Sequence, residues 1–135
     1  MGNKACFTEF FNTRIPDQYR SLYCVVYIGF DIVRDNQYYG EKVAEEQLCF
    51  AANELQLSVR ENDAAARISG GGFAVIRPGS GEQEAILWTE QLLGRLNQYM
   101  EQYGKDYRPD FRAGIYMLQP TDRDCDRVLL SALQG

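Results

Sequence analysis

The residues best suited to ligand chemistry are Arg60 and Asp63, which lie three positions apart. An arginine fork can donate hydrogen bonds to O6 and N7 of guanine, and a carboxylate can accept from the N1 and N2 hydrogens. A turn that carries both groups can therefore bind purine bases. An exposed ion pair is nevertheless the ordinary interpretation of such a pair taken alone. The same spacing occurs in two further pairs, Arg14/Asp17 and Arg123/Asp126.

A second candidate is the run of three glycines, Gly70 to Gly72, which follows Ser69 between two short apolar segments. One interpretation is a turn whose backbone needs positive φ. The other is a tip kept free of side chains so that its backbone can approach a phosphate. Glycine alone does not decide between them, and the sequence has no GxxxxGK[ST] loop.

Catalytic groups are sparse. The 135 residues include no histidine, which excludes histidine general bases, Ser-His-Asp triads and most zinc sites. An enzyme would have to use carboxylates, Lys or a carboxylate-bound metal. Asp31 follows a predicted strand, but the hairpin tip offers only Ser and Gly as its partner. A two-carboxylate metal site is therefore not predicted, and no cofactor is expected.

The elements that position these residues follow from hydrophobic periodicity, in the order helix, strand, helix, hairpin, helix, strand, helix. Two helices between strands of one sheet indicate an α+β, βαββαβ sandwich of the ferredoxin or nucleotide-cyclase palm type. Its central antiparallel sheet would be flanked by helices. A polar stretch, residues 34–39, leads to Gly40 and the second helix. The predicted segments are helix 7–16, strand 23–28, helix 44–59, strands 65–68 and 73–76, helix 85–103, strand 111–118 and helix 127–133.

Length and charge restrict the class of protein. One domain over residues 1–135 is expected, and the formal net charge of −5 argues against a nucleic-acid partner. The longest apolar run, 22–28, is far shorter than the ~20 residues of a membrane span, and no secretory signal is evident. Cys24 and Cys49 lie in apolar stretches and are predicted to be buried thiols in a reducing compartment.

Several separated motifs resemble the GGDEF family, the diguanylate cyclases that make cyclic di-GMP from two GTP. Residues 66–76, ARISGGGFAVI, line up with the family's A-R-[LI]-G-G-[DE]-E-F-A-V-[LI] signature. Residues 7–12, FTEFFN, are similar to its entry motif LTGLxN, and residues 112–115, RAGI, resemble its later S-I-G-[VI] strand. The resemblance extends over about residues 7–133 and implies a palm fold and a role in bacterial signalling, for example in biofilm control. It also implies that the domain is one part of a longer signalling protein.

The resemblance also shows where this chain departs from an active cyclase. The third and fourth signature positions are acidic in the family, and the third helps to bind the metal; here they are Gly71 and Gly72. The family's other metal-binding Asp falls on Gly29, although the next Asp is retained as Asp31. With both metal carboxylates replaced, cyclase activity is expected to be lost.

The nucleotide-reading positions are partly kept. Asn36 matches the family's guanine-reading Asn, and Glu45 replaces its guanine-reading Asp. The resemblance thus implies a degenerate active site made of eight residues: Gly29, Asp31, Asn36, Glu45, Ser69, Gly70, Gly71 and Gly72.

Arg60 precedes Ser69 by nine residues, which is the register of the family's inhibitory RxxD site. Domains of this family that lose catalysis but keep RxxD often serve as cyclic di-GMP receptors. A supporting Arg on the following helix falls on Gln91 here, and Arg95 lies one turn further along. Arg67 is a further candidate for ligand contact.

Three functions therefore remain open. The first is a cyclic di-GMP receptor that binds through the RxxD motif. The second is a ligand-independent dimerisation or docking module, and the third is an allosteric GTP sensor that uses Asn36 and the glycine tip. The docking module would use four aromatic residues: Tyr38, Tyr39, Tyr99 and Tyr103.

Overall fold

The computed structural model describes residues 2–60, 63–79, 81–100 and 111–134. Its strands are β1 (Gly2–Asn3), β2 (Tyr23–Gly29), β3 (Ala64–Ser69), β4 (Gly72–Pro78) and β5 (Arg112–Met117). Its helices are α1 (Lys4–Thr13), α2 (Ile32–Tyr39), α3 (Glu41–Ser58), α4 (Glu82–Met100) and α5 (Cys125–Gln134), with a short 3-10 helix at Asp17–Leu22. Only α3 and α4 among these helices reach eighteen residues, and neither is apolar enough to cross a membrane.

The strands form one sheet in the order β1-β3-β4-β2-β5. β2 pairs antiparallel with both β4 and β5, and β3 and β4 form the predicted hairpin. The predicted α+β palm fold is therefore confirmed. The predicted central antiparallel sheet is formed by β3, β4, β2 and β5, and β1, which the sequence did not indicate, adds to its edge parallel to β3. Two residues are too short for an alternating pattern, so no sequence periodicity indicates this strand.

Strand β2 is buried on both faces, as its continuous apolar run predicts. Cys24, Val26 and Ile28 pack in the core beneath α3 and α4, whereas Val25 packs in a second core beneath α1 and α5. The sheet is therefore held between two helical layers. This arrangement sets the positions of the loops at both ends of the β3–β4 hairpin.

The polar stretch 34–39 forms most of helix α2. The Asp31 side chain begins the helix by accepting a hydrogen bond from the Arg34 N–H at 3.0 Å. Gly40, with φ of 93°, ends α2 and starts α3, a conformation that glycine adopts without steric cost. Eight residues span little more than two helical turns, which is short for a sequence pattern, so the caps mark this helix more clearly.

Two of the four cysteines are buried, Cys24 and Cys125, whereas Cys6 and Cys49 are exposed. The predicted burial of Cys49 is wrong. Its neighbours Leu48 and Phe50 pack against the core, but the helical rotation places Cys49 on the outer side of α3.

We expect this difference in burial to control thiol reactivity. Burial raises the pKa of the Cys24 and Cys125 thiols, so at a given pH less of each is present as the reactive thiolate. A colorimetric thiol titration at pH 8 should therefore register two rapid equivalents in the native protein and four in denaturant. Mass spectrometry should place the rapid modification on Cys6 and Cys49. Rapid labelling of Cys24 would contradict the described packing.

Candidate functional site

Arg60 and Asp63 form a closed turn between α3 and β3. The Arg60 backbone N–H donates to Asp63 Oδ2 at 3.1 Å, and the Asp63 N–H donates to the Arg60 carbonyl oxygen at 3.0 Å. These two bonds give a structural reason for the three-residue spacing. They also leave the exposed Arg60 side chain outside the turn, where it can contact a ligand.

This turn forms one wall of a cleft of about 820 Å³, which we call the RxxD cleft. α3, the end of β4 and α4 supply its other walls. The structure brings four of the predicted ligand-binding residues together here, namely Arg60, Asp63, Gln91 and Arg95. The remaining lining residues are Glu54, Leu57, Ser58, Arg77, Pro78, Glu84 and Trp88.

The floor of the RxxD cleft contains an ion pair that the sequence analysis missed. Arg77 donates from its two terminal nitrogens to the two Glu84 carboxylate oxygens at 2.9 and 2.8 Å. The Arg77 guanidinium also lies over the Trp88 ring, 4.7 Å from its centroid. Hydrogen bonding to Glu84 raises the pKa of Arg77 above its ordinary value. Glu84 and Trp88 share a helical face at i, i+4, which is the one signal available in the sequence.

Arg95 reaches the RxxD cleft from α4 and is held against α3. Its Nε lies 3.4 Å from Glu54 Oε2, and its Nη2 donates to Ser58 Oγ at 3.0 Å. Glu54 and Ser58 are four residues apart, so both face α4 from one side of α3.

The structure does not bring Arg67 to this cleft. Its Nη2 donates to the Gly70 carbonyl oxygen at 2.9 Å, and its Nε donates to that of Ser69 at 3.4 Å. Arg67 therefore holds the tip of the hairpin, at the end opposite the Arg60–Asp63 turn.

The other two RxxD pairs lie elsewhere. Arg14 stacks on Phe10 with 5.7 Å between the guanidinium carbon and the ring centroid. Arg123 donates to backbone carbonyl groups of its own loop, and Asp126 pairs with Lys4 at 2.9 Å. Arg14 and Arg123 are therefore suitable controls for Arg60.

A second cleft, of about 640 Å³, surrounds the glycine tip, and we call it the signature cleft. The predicted active-site residues Gly29, Asp31, Ser69, Gly71 and Gly72 line it. Gly70 lies in the same turn without being part of the lining. Glu45 is exposed on α3 and is not part of the lining either, whereas the side chain of Asn36 lies outside the described residues. The other lining residues are Tyr27, Phe30, Arg34, Arg112, Ala113, Gly114, Leu133 and Gln134.

The glycines at this tip are explained by close packing. None of the three has φ in the left-handed region, so the interpretation as a turn that needs positive φ is wrong. A Cβ on Gly71 would overlap the carbonyl oxygen of Phe30, and a Cβ on Gly72 would overlap the hydroxyl of Tyr27. That hydroxyl is 3.0 Å from Ser69 Oγ. Backbone and a tyrosine thus occupy the space into which side chains at these signature positions would extend.

The donors of the signature cleft do not fit the divalent metal ion that the resemblance would imply. The residues that the structure describes contain no group of three or more potential metal-ligating side chains. Gly29 and Gly71 provide no carboxylate, and the Asp31 carboxylate already caps α2. Two arginines, Arg34 and Arg112, line the cleft instead, and their charge opposes that of a cation.

The structure describes the side chains of two of the four aromatic residues that the docking module would use. Tyr38 is 76% exposed, whereas Tyr39 packs against the core beneath α3 and α4. The side chain of Tyr99 and all of Tyr103 lie outside the described residues. Tyr38 is therefore the one of the four that the structure shows on the surface.

Comparison with known proteins identifies the family. The family model "Diguanylate cyclase, GGDEF domain" matches residues 1–134, whereas no curated protein matches the chain. The GGDEF domain of DgcB from Caulobacter crescentus, solved in complex with c-di-GMP, is similar in fold, with a TM-score of 0.80 and 15% identity over 98% of this chain and 81% of that one. The active GGEEF domain of a Vibrio cholerae diguanylate cyclase has a TM-score of 0.69 and 22% identity over 96% and 80% of the two chains. The chain belongs to the GGDEF domain family.

Proposed function

We propose that this chain is a catalytically inactive GGDEF domain that binds cyclic di-GMP in the RxxD cleft. The observation that carries the proposal is that Arg60, Asp63, Arg95 and Trp88 line one cleft. A receptor of this kind would act in the bacterial cytoplasm.

The chemistry of the cleft suits the ligand. Cyclic di-GMP presents two guanine bases and two phosphodiester groups, each with one negative charge. The Arg60 fork can donate to a guanine edge or a phosphate, and the Asp63 carboxylate can accept from guanine N1 and N2 hydrogens. Trp88 offers an aromatic surface beside them. A GGDEF domain of the same fold has been solved in complex with c-di-GMP, which also supports the proposal.

The proposed loss of catalysis rests on the signature cleft. Phosphoryl transfer from GTP depends on positioning and on neutralisation of the phosphates by metal ions. Gly29 and Gly71 provide no ligand for such an ion, and Tyr27 occupies the space beside Gly72. We therefore expect no cyclic di-GMP to form when this protein is incubated with GTP and Mg²⁺.

Calorimetric titration with cyclic di-GMP, and a parallel titration with GTP and Mg²⁺, test the proposal. We expect saturable binding of cyclic di-GMP in the micromolar range, about −8 kcal/mol, and no binding of GTP. Trp88 is the only tryptophan, so its fluorescence should change in the same titration. If neither heat nor fluorescence changes, the receptor function is wrong, and the ligand-independent docking module takes its place. Binding of GTP alone would favour the allosteric GTP sensor.

A further inference from the structure

The RxxD cleft is electrically balanced before any ligand binds. Its lining includes three guanidinium groups, those of Arg60, Arg77 and Arg95, and three carboxylates. The carboxylates are those of Asp63, Glu54 and Glu84. A dianionic ligand entering this cleft would meet acidic groups that repel it as well as arginines that attract it.

The three arginines of the RxxD cleft differ in their ion pairs with carboxylates and in their exposure. Arg77 forms a two-bond contact with Glu84, its side chain is only 13% exposed, and it is stacked on Trp88. Among the described residues, none forms an ion pair with Arg60. Arg95 is held less firmly than Arg77 but, unlike Arg60, has an ion-pair partner. Its side chain is 48% exposed, and it contacts Glu54 through a single, longer ion pair of 3.4 Å.

We propose that Glu54 competes with a ligand phosphate for Arg95 and thereby lowers the affinity of the RxxD cleft; this inference rests on the proposed function. On binding, the Arg95 guanidinium exchanges the Glu54 carboxylate for a phosphodiester oxygen. A single contact of 3.4 Å to an arginine that is about half exposed contributes little, so the exchange is accessible to a ligand of modest affinity. Arg95 then serves the supporting role that Gln91 cannot serve, since an amide has no charge to pair with a phosphate.

The Arg77–Glu84 pair is expected to stay intact during this exchange. Its two short hydrogen bonds and its stacking on Trp88 restrain the guanidinium, and separating the pair would leave the charge of Arg77, whose side chain is only 13% exposed, without its carboxylate. It therefore forms a fixed floor for the cleft. Arg95 is the side chain that moves.

Titration of Glu54→Gln with cyclic di-GMP tests the inference. Removing the charge of Glu54 while keeping the size of the side chain should tighten binding about three- to tenfold. The gain should disappear in the double variant Glu54→Gln/Arg95→Ala, because it depends on the released guanidinium. Glu41→Gln is the matched control: it removes one carboxylate from the same helix at a distance of about 20 Å along the axis, so it should leave the affinity unchanged.

The outcomes separate this inference from the proposed function. If the natural protein binds and Glu54→Gln binds no more tightly, the competition is wrong and the receptor function stands. A gain that survives in the double variant also overturns the competition for Arg95. If the natural protein does not bind but Glu54→Gln does, the competition is supported and the receptor function is wrong. If neither binds, both are wrong.

Discussion

Replacement of Arg60 by alanine should reduce the affinity for cyclic di-GMP by about 100-fold or more, which in a calorimetric titration amounts to loss of detectable binding. The substitution removes the one guanidinium of the RxxD cleft that lacks an ion-pair partner among the described residues. The turn itself should persist, because the Arg60 contributions to it come from the backbone N–H and carbonyl groups. The thermal unfolding temperature should therefore remain close to that of the natural protein.

Three variants provide controls for this experiment. Arg14→Ala and Arg123→Ala remove the same charge at the other two RxxD pairs and should leave binding unchanged. Arg60→Lys keeps the charge without the planar fork, so it should bind more weakly than the natural protein and more tightly than Arg60→Ala. Equal losses in Arg14→Ala, Arg60→Ala and Arg123→Ala would show that overall charge, and not the cleft, determines binding.

Restoring an acidic residue at the third signature position should destabilise the protein instead of restoring its metal site. A side chain at Gly71 would overlap the backbone carbonyl of Phe30, while the Gly71 carbonyl accepts a hydrogen bond from the Phe30 N–H at 3.1 Å. Because both groups belong to the backbone, the strand end must shift to admit Asp. We expect Gly71→Asp to lower the free energy of unfolding by about 2–3 kcal/mol. In thermal denaturation this corresponds to a decrease of about 10 °C.

The neighbouring glycine supplies the control. A Cβ on Gly70 would lie 3.4 Å from Ile32 Cγ2, which is ordinary van der Waals contact, so Gly70→Asp adds the same charge with little overlap. We expect Gly70→Asp to lower the free energy of unfolding by less than about 1 kcal/mol. Equal stabilities of Gly70→Asp and Gly71→Asp would contradict the described approach of the two backbones. Cyclase activity in Gly71→Asp would contradict the expectation that an acidic residue at this position does not restore the metal site.

Features that depend on local pattern can be predicted from the amino-acid sequence. The continuous apolarity of β2 indicated a strand covered on both faces, and the glycine tip between two apolar segments indicated the β3–β4 hairpin. The spacing of Arg60 and Asp63 suits one turn, and their register before Ser69 distinguishes this pair from the two others of the same spacing. Each of these signals arises among residues close together in the chain, where periodicity and turn chemistry act directly.

The side chains that contact one another across different helices and strands are defined by the folded structure. The contacts of Arg77 with Glu84 and Trp88 join a strand end to a helix, and the contact of Arg95 with Glu54 joins two helices. Arg67 lies on β3, the strand that follows the Arg60–Asp63 turn, but its side chain donates a hydrogen bond to the hairpin tip and does not reach the RxxD cleft. Such partners depend on how helices are rotated and packed against the sheet, and no spacing along the chain encodes that rotation.

At the glycine tip, the residue types and the fold provided different information. The residue types alone left a positive-φ turn and a phosphate approach as alternatives, since glycine permits both. The fold excluded the first and gave a different reason for glycine, because Phe30 and Tyr27 from the adjacent β2 end occupy the space where side chains of Gly71 and Gly72 would lie. Steric exclusion between strands depends on distances in space, which become defined only when the sheet has formed.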